Sequence, residues 1–247
     1  MQDLKNLDQL PEEVRKKFSP YVKGLLDLYP TQIIAAAVVG SAAGKNYIAG
    51  VSDVNSLFIF KEMDFVLLKL ALKIVFSGFR QKISAPLFLT KAYIEDSLDV
   101  FPVEFLDMKE NHVLVYGEDI LGKLTISDKH LRLFCEQQIK GKLVRISQAY
   151  LEVGLRVKEM EKLLEGSLNA LMPIFRNLIR LKKKTPAVDK IKILEQLCQE
   201  FSLAKSALVP IYEHRSLIKK ISPRDIEGTL EKFLQELEKL SQAVNAL

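Results

Sequence analysis

Residues 33–60 read IIAAAVVGSAAGKNYIAGVSDVNSLFIF, and their order leaves few folds open. The run 33–39 is continuously apolar, the pattern of a short strand buried on both faces. Gly40-Ser41 ends it. Residues 41–47 have the composition for one or two helical turns, Gly50 and Ser52 mark a turn, and a second apolar strand follows over 54–60. Two buried strands this close together need a sheet covered on both sides.

The flanking segments supply the cover. Residues 10–29 repeat Val14, Phe18, Val22, Leu25, Leu26 and Tyr29 at helical spacing, with Pro11 suited to a first turn and Pro30 stopping the helix. Residues 62–79 read as a long apolar helix with Asp64 as cap and Gly78 as stop signal. Residues 85–89 are a brief strand, and Thr90 caps a helical turn through Ser97. Residues 100–108 alternate like a strand whose early Pro102 suits an edge or a strand start. Residues 113–116 give a further strand, closed by Gly117-Glu118-Asp119.

Beyond Ser127 the apolar period is helical throughout. One long run carries Leu131, Cys135, Ile139, Leu143 and Ile146 and continues towards Leu164; another spans 167–181, with Pro173 expected to kink or divide it. Thr185-Pro186 and Ser222-Pro223 each read as a cap and first turn, and the last helix has a clear apolar stripe from Ile226 to Leu240. The expectation is an α+β domain over 1–126, a mixed sheet flanked by helices, followed by an all-α helical bundle over 127–247.

Charge divides at the same place. Residues 1–126 hold 14 Lys/Arg against 16 Asp/Glu, a net −2, whereas 127–247 hold 22 against 15, a net +7. The basic excess is spread over helices that need solvated faces, which is its simpler reading beside attraction of phosphate or nucleic acid. Around Lys182, Lys183 and Lys184, with Arg176 and Arg180, a charged helix end explains the cluster, since no aromatic platform interleaves it. Cys135 and Cys198 fit neither a metal spacing nor a disulfide framework and read as buried thiols of a cytoplasmic protein. Neither a signal core nor a membrane span is present in the sequence.

Several chemistries fail on spacing. A Walker A loop needs four residues between its glycines and Ser or Thr after Lys; Gly40 and Gly44 enclose three, and Asn46 follows Lys45. His112, His130 and His214 are scattered, and none sits at HExxH spacing.

The layout strand, Gly40-Ser41, short helix, then Asp53-Val54-Asn55 on the next strand resembles the nucleotidyltransferase superfamily that includes DNA polymerase β, the aminoglycoside nucleotidyltransferases and the minimal nucleotidyltransferases. Tyr116-Gly117-Glu118-Asp119 also looks like the turn that precedes the helical domain in bacterial members, so the resemblance covers roughly residues 30–150. It implies a nucleoside triphosphate as substrate or ligand, Mg2+ or Mn2+ as cofactor, and transfer of a nucleoside monophosphate to an unknown acceptor. It implies Gly40, Ser41, Lys45 and Asn55 as nucleotide-binding residues and Asp53 as metal ligand. The family's third carboxylate lies on a later strand between apolar neighbours, which points to Glu104 as the second metal ligand and, with Asp53, as the catalytic pair; Asp107, three residues on, falls on the opposite strand face. The helical ribonuclease toxins that accompany minimal nucleotidyltransferases carry Arg, four to six residues, then His, and none of the three histidines meets that.

The departure from the family is Asn55, where its motif has a second acid. Paired carboxylates bridge two metal ions and offset their charge. An amide supplies one neutral oxygen and removes a unit of negative charge, so affinity for Mg2+ falls. The alternative to a weakened enzyme is therefore a degenerate nucleotide-binding or protein-interaction module, antitoxin-like or regulatory. Nucleotide, acceptor or protein are the expected partners, nucleic acid less so.

Overall fold

The computed structural model describes residues 3–44, 47–216, 218 and 220–247. The chain divides into two compact units, Met1–Ser127 and Asp128–Leu247. The first is α+β and the second all helix.

The first unit is built on a four-stranded mixed sheet of β1 (Ile33–Val39), β2 (Asn55–Phe60), β3 (Leu87–Thr90) and β4 (His112–Gly117), in the order β3-β2-β1-β4. β1 is central and antiparallel to both β2 and β4, while β3 runs parallel to β2 at the edge. β1 is buried almost throughout, as its unbroken apolar run requires. Alternation divides its side chains between two cores. Ala36 and Val38 join Phe58, Phe60, Val113 and Val115 under α1 (Glu12–Leu28) and α2 (Phe65–Phe79). Ala35, Ala37 and Val39 join Leu57 and Ile59 under Ile94, Phe105, Ile120, Leu121 and Leu124. Three consecutive alanines let cover approach the middle strand closely from both sides.

Local signals place the helices. Pro11 precedes α1, and Glu12 and Glu13 sit in its first turn, where the helix dipole favours acids. The Asp64 carboxylate caps α2 by accepting from Leu67 N at 2.8 Å. Thr90 caps α3 (Lys91–Asp96) by accepting from Tyr93 N at 3.1 Å.

One expectation about this unit fails. Residues 100–108 are not a strand: Pro102–Glu110 is an α-helix, α4. Pro102 occupies its first turn, Glu104 favours the N-terminal dipole and Lys109 the C-terminal one, and these end signals outweigh the alternation. Among the described residues, the segment after β1 forms one helical turn, a 3-10 turn over Gly40–Ala42.

The second unit holds α5 (Asp128–Val153), α6 (Val157–Leu181), α7 (Lys190–Phe201), α8 (Lys205–Arg215) and α9 (Ile226–Asn245). The first long helix ends earlier than its apolar period implied, because Gly154 turns into the left-handed region at φ 56°. Pro173 stays inside an unbroken α6. Thr185-Pro186 does not start a helix: Gln196 reaches back to hold that segment as a loop, accepting from Ala187 N at 2.9 Å, and Asp189 caps α7 instead. Ser222-Pro223 likewise leads only into a turn before Ile226. The buried Glu236 carboxylate accepts from Ala204 N at 2.8 Å and Lys239 Nζ at 2.5 Å, so one acid on α9 caps the start of α8. Cys135 and Cys198 are free and buried, and burial pushes their thiols up to about 12 and about 11, which leaves them unreactive.

Candidate nucleotide site

The end of β1 and the starts of β2 and β4 form one row across the sheet. Val39 pairs with Asn55 on one side and with His112 on the other. Asn55 shares a face with Leu57 and Ile59 by strand alternation, and His112 shares it with Leu114. Strands stand ~4.8 Å apart, so Asn55 and His112 flank the Gly40-Ser41 turn about 10 Å from one another at the backbone.

Gly40 turns the chain at φ 73°, a conformation that side-chain-bearing residues resist. Its N–H donates to Asn111 O at 2.9 Å, tying the turn to β4. Ala43 N donates to Gly40 O at 3.1 Å and Gly44 N to Ser41 O at 3.2 Å, closing the 3-10 turn. A Cβ at Gly40 would lie 3.8 Å from Asn55 Nδ2, which shows that the Asn55 amide sits beside this glycine. The structure thus brings Gly40, Ser41 and Asn55 together. Asp53 lies two residues before Asn55, just outside β2, and is exposed. Val54 between them is buried and anchored, donating to Lys82 O at 2.8 Å and accepting from Ser84 N at 3.0 Å. Lys45 lies outside the described residues.

The loop between the strands is tied at both ends. Ser52 Oγ accepts from Ile48 N at 3.1 Å, and Lys82 Nζ donates to Gly50 O. Lys17 on α1 donates to Tyr47 Oη at 3.3 Å and to Glu13 at 3.1 Å. Burial opposes the Lys17 charge, yet these two partners outweigh it and hold its pKa above the usual lysine value.

Glu104 lies on a helix and not on a strand. Its expected position assumed a strand, and as a member of α4 it stands exposed in the first helical turn while Val103 and Phe105 take the buried positions. β3, the strand that neighbours β2, reads Leu87, Phe88, Leu89, Thr90 and carries no acid. Among the described residues, no group of three or more His, Cys, Asp or Glu side chains could hold a metal ion. A bridged metal pair does not fit this donor set: Asp53 contributes anionic oxygen, Asn55 only a neutral amide.

The place of His112 across the sheet from Asn55 was not legible in the sequence, because the spacing rules for histidine look along the chain and not across a sheet. Its Nδ1 lies 3.1 Å from Met108 O and 3.0 Å from Lys109 O, and its Nε2 lies 3.1 Å from Asp119 Oδ1. Asp119 Oδ1 also accepts from Gly122 N at 2.8 Å. His112, Glu118 and Asp119 line a small cleft with Ala35, Leu57 and Ile120. Lys123, 2.6 Å from Glu118, holds that carboxyl below the usual range.

The basic cluster of the second unit is largely engaged at home. Lys183 pairs with Asp128, and Lys182 Nζ stands 5.1 Å from the centre of the Phe201 ring. No described helix is long and apolar enough to cross a membrane.

No protein-family profile matches the chain, and no curated protein matches it. Solved structures do. The architecture, a small mixed sheet with flanking helices and a helical C-terminal region, is the nucleotidyltransferase fold. One structure that shares it is spectinomycin adenyltransferase AAD(9) from Enterococcus faecialis, solved with ATP and spectinomycin. It aligns with a TM-score of 0.51 at 12% identity, over 90% of this chain and 98% of that one.

Proposed function

We propose that the first unit binds the triphosphate of a nucleoside triphosphate at Gly40-Ser41, with one divalent ion at Asp53, and transfers a nucleoside monophosphate only weakly. The observation that carries this reading is Asn55, seated beside Gly40 in the place where the superfamily's motif has its second acid. Ser41 offers a hydroxyl to phosphate, and Asp53 offers anionic oxygen to an ion that the phosphates also hold. Asn55 withholds the bridging carboxylate, and no acid on β3 replaces it. The fold shared with an adenyltransferase solved with ATP supports nucleotide as the ligand. The acceptor is a separate molecule.

Titration calorimetry of the full chain with each of the four ribonucleoside triphosphates, with and without Mn2+, tests the binding. Metal-dependent binding of at least one is expected, and no binding of any overturns the reading. Incubation with the bound nucleotide, labelled on its α-phosphate, and cell extract tests the transfer. Rapid labelling of an acceptor would show that Asn55 does not limit turnover.

A further inference from the structure

α2 is apolar almost all round: one stripe is covered, Val66 and Leu70 are exposed on one side of it, and a longer stripe is exposed on the other. Leu67, Ala71, Ile74, Val75 and Gly78 pack towards α1 and the sheet, with Ile74 against Gly24 and Gly78 against Tyr21. Roughly 120° around the helix lie Phe65, Leu68, Leu72, Phe76 and Phe79. These are 78%, 43%, 62%, 65% and 53% exposed. Lys69 and Lys73 are the only charged residues of the helix. A contiguous apolar face of this kind on a protein surface marks an interaction site.

The stripe advances by three, four, four and three residues, so its average step, though not its strict alternation, matches a coiled-coil seam. That series reads the same in both directions about Leu72. A second helix running antiparallel about a two-fold axis at Leu72 therefore meets it in register. Phe65 of one copy falls against Phe79 of the other, Leu68 against Phe76, and Leu72 against Leu72. We propose that α2 is the two-fold seam of a homodimer. A self-complementary patch is what an isologous interface needs, and here it lies within one helix.

The area agrees. With ~200 Å² for each aromatic side chain and somewhat less for leucine, these exposures amount to on the order of 500 Å² per copy. The pair buries about 1,000 Å², before the aliphatic stem of Lys69 is added, at the lower end of what a specific dimer requires. Lys69 flanks the stripe, so its ammonium reaches water as the stem covers the rim. The dimer forms at micromolar concentration and stands independently of the nucleotide reading.

Sedimentation velocity of the full chain across the micromolar range should show a monomer–dimer equilibrium. Leu72→Glu, at an exposed position, should leave the far-UV circular dichroism unchanged and weaken dimerisation roughly a hundredfold or more by burying two like charges. Leu72→Cys should form a disulfide-linked dimer under mild oxidation, because the axis brings the two positions together. Ser77→Cys, off the stripe, should not, and neither should the wild type, whose cysteines are buried. A monomer at every concentration overturns the proposal, as does a Leu72→Glu dimer of unchanged strength or equal cross-linking through Ser77→Cys. A monomer that cosediments with phosphatidylcholine–phosphatidylglycerol vesicles would assign the stripe to a lipid surface instead.

Discussion

In Asn55→Asp the side chain keeps its shape and gains a charge. The amide and the carboxylate are nearly the same size and Gly40 presents no side chain to position 55, so the effect isolates electrostatics at the proposed ion site. Two unit charges 4 Å apart in water interact by ~1 kcal/mol, and a doubly charged ion doubles that to ~2 kcal/mol. The solvent value applies because Asp53 and Asn55 are both exposed. Repulsion between the two carboxylates is present with and without the ion and cancels from its affinity. At this range physiological salt screens little. The ion should therefore bind about 30-fold more tightly in the variant. Electron paramagnetic resonance of Mn2+, titrated with a non-hydrolysable ATP analogue present, measures this directly. A change under about threefold would mean that position 55 does not face the ion. Asp53→Asn alone should weaken binding of the ion by a similar factor, and an unchanged affinity there would take Asp53 out of the site.

Two further expectations concern the scaffold. Gly117 pairs with Ala35 at φ 77°, and a Cβ there would lie 1.8 Å from Ile34 O, so Gly117→Ala should destabilise the first unit by at least ~3 kcal/mol in urea unfolding. Gly50→Ala is the control: with φ 72° and open space around the Cβ, it should cost only about 1 kcal/mol. At Glu236 burial works against the charge, but the bonds from Lys239 and Ala204 N prevail and lower the pKa. A depressed carboxyl contributes stability above its unfolded pKa of roughly 4.3 and loses it as pH falls through the folded value. Glu236→Gln should therefore cost about 1.5–3 kcal/mol near neutral pH and flatten the loss of stability below pH ~4, as read from unfolding curves across pH.

The parts of the fold that could be read from sequence were those where one signal dominated. The apolar run of β1, the Asp64 and Thr90 caps and the stripe of α9 each had a single physical interpretation. Residues 100–108 did not. Val103 and Phe105 alternate as in a strand, while Pro102, Glu104 and Lys109 carry helix-end chemistry, and burial of Phe105 against Ile59 and Ile94 is satisfied in the helical form. Choosing the alternation put Glu104 on a strand, whereas it lies in the first turn of α4. The same limit hid His112, whose relation to Asn55 depends on both strands pairing at Val39. Sequence spacing describes neighbours along the chain, and cross-strand register is settled only when the sheet forms. The nearness of Gly40 to Asn55 needed only that β1 and β2 be neighbouring strands, which their two apolar runs already suggested.

The row through Asn55, Val39 and His112 also determines how the first unit would announce a bound ligand. Its three members belong to the middle strand and both of its antiparallel partners, so none can leave the row without breaking a ladder of the sheet. A molecule gripped there gains its affinity only while the whole sheet is intact, and mass action passes that affinity into the melting temperature of the unit. Thermal denaturation thus becomes a meter of occupancy, and nucleotides, ions and acceptor fragments can be ranked by it before any turnover has been detected.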